Sequence, residues 1–180
     1  CYGDGGAIFT NNEDLAHKMK SIRIHGSGSD KYENVRLGIN GRLDTIQAAI
    51  LIEKLSIFDK EIQLRNKVAD YYSENITSNF KKPFTPKDYL SSWAQYSLMA
   101  NSESDRNKIM TLLSNENIPS MIYYKRPLHL QTVLGKLGYK EGDFPISERA
   151  SKQIFSIPMH PYLDEEKQIK IIEVLNKWQN

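Results

Sequence analysis

The chain has 180 residues, 39% hydrophobic and 26% charged, in the proportions of an ordinary globular protein: one large domain, or a small domain with a piece of another. Its net charge of +2, with acidic and basic residues mixed along the chain, argues against a nucleic-acid partner, and no apolar run approaches the ~20 residues that span a bilayer. One cysteine, Cys1, and four scattered histidines offer neither an internal disulfide nor metal-ligand spacing, so we expect no metal and, with no charged leader before an apolar core, a reducing cytoplasm.

The start, Cys1-Tyr2-Gly3-Asp4-Gly5-Gly6, has no initiator methionine and reads as a turn entering a strand at 7–10, as though the chain were a fragment. Asn11 or Asn12 then caps a helix with Glu13 and Asp14 in its first turn; Leu15, Met19 and Ile22 fall on one face, and Gly26 stops it. His25 stands at that helix's C-terminus, where it can complement the dipole. A polar stretch over 27–31 leads to Gly38-Ile39-Asn40-Gly41-Arg42-Leu43-Asp44-Thr45-Ile46-Gln47-Ala48-Ala49. Here a glycine-punctuated turn carries an amide and a guanidinium into a helix capped by Asp44, with Gln47 three residues on. Asn40 can donate from its amide, and Arg42 offers a fork suited to carboxylate or phosphate. The plainer reading is a surface loop before a capped helix, with Arg42 pairing to Asp44.

A long helical pattern over 44–78 exceeds the usual helix length, so we expect a bend at 56–59. After a proline-containing loop at 81–90 the pattern changes to short strands and helices. Strands are expected at 94–100, 120–124 and 154–157. Helices are expected from Ser102, with Ile109, Leu112 and Leu113 inward, at 131–136 and 146–153, and from Asp164, with Ile169, Ile172 and Leu175 inward and Trp178 near that face. In the strand at 120–124 alternation sets Tyr123 and Tyr124 on opposite faces, at least one of them in the core. Lys125, Arg126 and His129 follow on a loop that is either solvated or anion-binding, and His160 and Tyr162 are expected to pack between the last strand and helix. Three short strands with packed helices make a small α+β domain.

Three segments recur in order: Gly3-Asp4-Gly5-Gly6-Ala7; His25-Gly26 with Gly38-x-Asn40-x-Arg42-Leu43-Asp44 and Gln47-Ala48-Ala49; and Pro127-Leu128-His129 with Pro158-Met159-His160-Pro161-Tyr162-Leu163. Together they resemble the DegT/DnrJ/EryC1/StrS sugar aminotransferases over essentially the whole chain. The resemblance implies an α/β fold, the C-terminal part of the aspartate-aminotransferase-like, pyridoxal-phosphate-dependent transferase fold. Residues 1–43 would be the end of the large cofactor domain with a cross-subunit loop, 44–78 a long connecting helix, and 79–180 the small C-terminal α+β domain.

The resemblance further implies pyridoxal 5'-phosphate as cofactor and a homodimer with shared active sites. The lysine that carries the cofactor would lie upstream of Cys1, so no catalytic residue is expected here, and the fragment alone should be inactive and should expose apolar surface. Asn40 would reach the cofactor phosphate of the neighbouring subunit. Arg42 would face the sugar, pairing with a carboxylate in the branch that aminates 3-oxo-uronic acids. Tyr123 and Tyr124 stand where relatives often carry His-Tyr, a departure at the first position; they, His129 and His25 are candidates for substrate contact. The implied reaction moves an amino group from an amino acid, glutamate in most relatives, to a nucleotide-linked keto-sugar of the UDP-2-acetamido-3-oxo-glucuronate type, for surface polysaccharide synthesis. A pyridoxamine-dependent sugar dehydratase on the same scaffold, and a non-catalytic sugar-nucleotide-binding module, are the rival expectations.

Overall fold

The computed structural model describes residues 3–30 and 32–178. They form two compact units, Cys1–Asp59 and Lys60–Asn180, which part inside the 44–78 stretch.

The first unit carries helices α1 (Glu13–Arg23) and α2 (Thr45–Ser56). Asn12 caps α1, its Oδ1 accepting the Leu15 N–H at 2.9 Å, with Glu13 and Asp14 favourably placed in the first turn. The helix ends at Ile24, and His25 and Gly26 follow with φ of 64° and 78°. α2 begins as expected: Asp44 and Gln47 form a capping box, the Asp44 N–H donating to Gln47 Oε1 at 3.2 Å. The expected strand at 7–10 is absent. Ile8 and Phe9 are exposed, and no backbone segment pairs with them among the described residues, so the apolar run has no ladder to join.

The long helical pattern resolves into two helices, α2 and α3 (Phe58–Asn75), interrupted at Ile57. There the Ile57 N–H bonds to the Lys54 carbonyl, three residues back, and Ser56 Oγ donates to the Glu53 carbonyl at 2.6 Å. Both contacts compete with continued α-helical bonding. The break thus falls at the expected bend, and α3 ends at 75 rather than 78.

The second unit is built on an antiparallel pair, β1 (Tyr96–Met99) and β2 (Ile154–Ile157), in register Tyr96↔Ile157 through Met99↔Ile154. α4 (Glu103–Asn115), capped by Ser102 accepting from the Asp105 N–H, α5 (Pro145–Gln153) and α6 (Glu165–Asn176), capped by Asp164 accepting from the Lys167 N–H, complete it with α3. Short 3-10 turns occupy Leu128–Leu130 and Thr132–Leu137. The expected strand at 120–124 reduces to a single bridge, Met121 with Ser156, and the chain then turns at Tyr123–Tyr124. Pro119 lacks the N–H that would extend the pairing backward.

Tyr72 and Tyr96 lie fully buried with Leu98, Ile109, Leu113, Phe155 and Leu175 at the centre of this core. The Tyr72 and Tyr96 rings sit 5.1 Å apart, and Trp93 stacks on Tyr96 at 5.5 Å. Each buried phenol finds a partner: Tyr72 Oη donates to the Pro158 carbonyl, and Tyr96 Oη meets Ser73 Oγ at 2.9 Å. Burial, reinforced by Tyr96, pushes the Tyr72 hydroxyl above its ordinary value.

The inner face of α6 follows expectation at Ile172, Leu175 and Trp178, which packs against the core; Ile171 and Val174 are buried beside them, and only Ile169, 40% exposed, departs. Gln168 takes the buried place in that turn, donating to the Val68 carbonyl at 3.1 Å. His160 and Tyr162 do not pack between strand and helix either. Both are exposed; Tyr162 Oη donates to Glu61 Oε1 at 2.7 Å, and His160 Nδ1 accepts the Tyr162 N–H.

Candidate functional site

In the first unit, residues 22–28 and 33–41 are joined by backbone hydrogen bonds and isolated bridges into a tight loop. Ile39 N–H donates to the Ile22 carbonyl, His25 N–H to Ile39 and Gly41 N–H to Arg23, all at 2.8–3.0 Å. Two glycines make this approach possible. A Cβ on Gly26 would lie 1.8 Å from the Arg36 carbonyl oxygen, and one on Gly38 would lie 2.1 Å from the Gly26 nitrogen. The motif glycine at 38 is thus required for close backbone contact with the end of α1.

This pairing places Asn40 and Arg42 on the same loop as His25. Asn40 has its backbone bridged to Ile24, while its exposed carboxamide has no hydrogen-bond partner among the described residues. Arg42 Nη1 donates to His25 Nε2 at 3.4 Å, which requires the neutral ring with its proton on Nδ1. Arg42 makes no ion pair with Asp44 among the described residues, so the plainer pairing anticipated from sequence does not form. Tyr2, which belongs to the opening motif, lies outside the described residues.

The second unit holds a cavity of about 410 Å³. Tyr123, Tyr124, Arg126 and Gln131 line it together with Ser147 and Ser151 of α5. The Tyr123 and Tyr124 rings meet edge to face at 5.5 Å. Neither is in the core: Tyr124 is 72% exposed and Tyr123 half-buried. The turn that replaces the expected strand brings both rings to the cavity instead of to opposite faces.

His129 does not line this cavity and is not solvated. Its side chain is 8% exposed; its ring lies 4.7 Å from that of Phe144, and Nε2 donates to Glu148 Oε1 at 2.9 Å. Burial alone would push the Glu148 carboxyl up. The N–H of Gly142, the His129 ring and the N–H of Phe144 outweigh it and hold the carboxyl below its ordinary value. Sequence reading overlooked Glu148, Gln131, Ser147 and Ser151. An available signal for Glu148 was an acidic residue in the first turn of a helix opened by Pro145.

Among the described residues no group of three His, Cys, Asp or Glu side chains is placed to hold a metal ion, and no helix is long and apolar enough to cross a membrane. The two donor groups instead suit organic anions and hydroxyls: exposed amide and guanidinium on one loop, phenols and a guanidinium around a cavity.

The chain is 40% identical over 173 residues to the UDP-2-acetamido-2-deoxy-3-oxo-D-glucuronate aminotransferase of Pseudomonas aeruginosa, covering 96% of this chain and 46% of that protein. It is 35% identical to the dTDP-3-amino-3,6-dideoxy-alpha-D-galactopyranose transaminase of Aneurinibacillus thermoaerophilus, over 97% of this chain and 47% of that one. The chain therefore spans about half the length of the curated relatives it matches. The crystal structure of a DegT DnrJ EryC1 StrS aminotransferase from Brucella abortus superposes with a TM-score of 0.83 at 46% identity, over 93% of this chain and 44% of that chain. Spr1654 of Streptococcus pneumoniae, solved in PMP and PLP forms, shares the fold with TM-scores of 0.83 and 0.82 at 22% and 24% identity, covering 93% of this chain and 43% and 44% of those chains. This mixed fold of helices and a small sheet matches the C-terminal portion of sugar aminotransferase structures. With the family's model matching residues 1–176, the chain belongs to the DegT/DnrJ/EryC1/StrS aminotransferase family.

Proposed function

We propose that this chain forms the C-terminal part of an enzyme that moves an amino group from an amino acid, glutamate by family resemblance, to a nucleotide-linked 3-keto sugar of the UDP-2-acetamido-3-oxo-glucuronate type. The names of the Pseudomonas and Aneurinibacillus relatives both carry the nitrogen or the keto group at C3, which supports that position. They differ in the nucleotide and at C6, where the uronate bears a carboxylate. The pathway in this reading is surface polysaccharide synthesis.

The observation that carries the reading is the loop presenting Asn40 and Arg42. Its backbone is locked by Gly26 and Gly38, yet its amide is exposed and unpartnered. Such a donor fits one oxygen of a phosphate, as in pyridoxal phosphate bound by a neighbouring subunit of a homodimer. When bound, that cofactor supplies the electron sink and the amino-group carrier.

Arg42 would read the sugar carboxylate through a charge-assisted, bidentate contact, and His25 would hold the guanidinium from behind by accepting one N–H. Tyr123, Tyr124 and Arg126 would supply phenol and guanidinium donors to the hydroxyls and diphosphate of the nucleotide sugar. His129, with Nε2 committed to Glu148, would act on that site through the loop it anchors.

The test is Arg42→Ala in the enzyme containing this chain, with a UDP-uronate compared against its C6-hydroxymethyl counterpart. Loss of a hydrogen-bonded charge contact is worth about 1.5–3 kcal/mol, so kcat/KM for the uronate should fall roughly 10- to 150-fold. The counterpart should change little. Unchanged turnover of the uronate would exclude the carboxylate role.

A further inference from the structure

We infer that Glu148 is a positioning residue that sets the gap between the two walls of the cavity in the second unit. The consequence for substrate binding rests on the reading of that cavity given above; the positioning itself does not.

One wall is fixed. α5 carries Ser147, Ala150 and Ser151, and Arg106 of α4 holds it in place, donating from Nη1 to the Ser151 carbonyl at 3.2 Å while itself only 1% exposed. The opposite wall, formed by Arg126, Pro127, Leu128 and Gln131, begins a segment with little packing of its own. No apolar residue from 128 to 147 is buried; Val133 is 82% exposed, and a Cβ on Gly135, Gly138 or Gly142 would meet nothing within 4 Å. Apolar burial therefore does not hold this segment down.

A polar pin takes its place. The Glu148 carboxylate, 10% exposed, accepts from His129 Nε2 at 2.9 Å, from the Gly142 N–H at 2.9 and 3.0 Å on its two oxygens, and from the Phe144 N–H at 3.2 Å. His129 is the central residue of the Leu128–Leu130 turn, so it ties Leu128 of the sparsely packed wall directly to the helix that forms the other wall. Gly142 and Phe144 fasten the far end of the same segment. Phe144 also meets the rings of His129 at 4.7 Å and Tyr139 at 5.2 Å, closing a small cluster over the carboxylate. One side chain thus bonds to both ends of an otherwise loose excursion, and it does so from the opposing wall. A buried carboxylate with several N–H donors is geometrically demanding, so its loss should free the wall without dissolving the core.

Hydrogen exchange on the chain itself tests this, comparing wild type with Glu148→Ala and Glu148→Gln. In Glu148→Ala, amides at 126–131 and 139–144 should exchange about tenfold faster, while those of β1, β2 and α4 stay within about twofold. Glu148→Gln should recover part of the protection, because its amide oxygen still accepts an N–H. Unchanged exchange at 126–131 in Glu148→Ala would overturn the inference. So would an equal rise in β1, β2 and α4, which would make Glu148 a general support of the fold. Titration with UDP as probe adds the consequence: weaker binding in Glu148→Ala, partly restored in Glu148→Gln, supports a role in the gap, whereas equal UDP affinity in all three would overturn it. If the wild-type chain binds no UDP, the substrate reading of the cavity fails, and the exchange pattern alone decides the role of Glu148.

Discussion

The two units use their apolar residues in opposite ways. In Lys60–Asn180 they converge: Tyr72, Tyr96, Leu98, Ile109, Leu113, Phe155 and Leu175 are sealed from solvent around a two-stranded sheet. In Cys1–Asp59 no apolar side chain among the described residues is buried, and α2 leaves Ile46, Ile52 and Leu55 at least 59% exposed. Yet α2 carries an N-terminal signal of its own, the capping box of Asp44 and Gln47. Caps decide where a helix starts; they do not supply the packing that stabilises it, and a 12-residue helix is marginal by propensity alone.

The largest effect that tests this contrast is truncation of the core against truncation of the exposed face. Leu113→Ala should cost about 2–5 kcal/mol, as for a fully buried leucine. Ile52→Ala should stay within about 0.5 kcal/mol, as for an exposed side chain. Urea unfolding monitored by the fluorescence of Trp93, which stacks in the core, reads both. Equal losses would mean that the α2 face is covered in solution. Repeating the melt across protein concentrations would then identify self-association as the cover, since only an association-dependent midpoint moves with concentration.

The same contrast explains what could be read from the sequence. Asn12, Asp44 with Gln47, Ser102 with Asp105, and Asp164 were legible because a cap is closed by residues two or three positions away. The strands expected at 7–10 and 120–124 failed because a strand exists only with a partner, and neither alternation nor apolarity shows whether one is near. On α6 only Ile169 was misplaced, because Gln168 turns inward to a carbonyl 100 positions away. At the site, Asn40 and Arg42 were visible through their glycines. The approach of His25 to Arg42 across 17 residues, and of Glu148 to His129 across 19, needed the fold.

A smaller effect tests the loop that replaces a core in the first unit. Gly26→Ala puts a Cβ into the Arg36 carbonyl at a backbone φ of 78°, so it should cost more than about 1 kcal/mol locally and release the pairing of 22–28 with 33–41. Gly135→Ala in the second unit, where a Cβ meets nothing within 4 Å, should stay within about 0.5 kcal/mol. Amide spectra should show shifts at Ile22, His25 and Ile39 for the first variant and not for the second. If Gly26→Ala leaves those amides in place, close backbone contact is not what orders Asn40 and Arg42.

The smallest effect at neutral pH comes from acid, and it belongs to the second unit, which holds both carboxyls kept below their ordinary values. For Asp164 the cause is the Lys167 ammonium, then the Lys167 N–H; for Glu148 the N–H donors and His129 prevail over burial. The sign follows from linkage. A carboxyl with a folded value below its ordinary 4.5 binds its proton more readily when unfolded, so Glu148 contributes fully above that value and loses its contribution as pH falls through the folded one. Stability of the second unit should therefore be insensitive to Glu148 between pH 8 and 6, in wild type and Glu148→Gln alike apart from a constant offset. Below about pH 4.5 the wild type should lose stability relative to Glu148→Gln, because the amide has no proton to gain. Parallel acid limbs for the two proteins, measured by urea midpoints at each pH, would mean that the His129–Glu148 contact adds nothing to the ionised carboxyl. The segment at 128–144 would then be held by the uncharged hydrogen bonds from the Gly142 and Phe144 N–H groups and by the rings of His129, Tyr139 and Phe144.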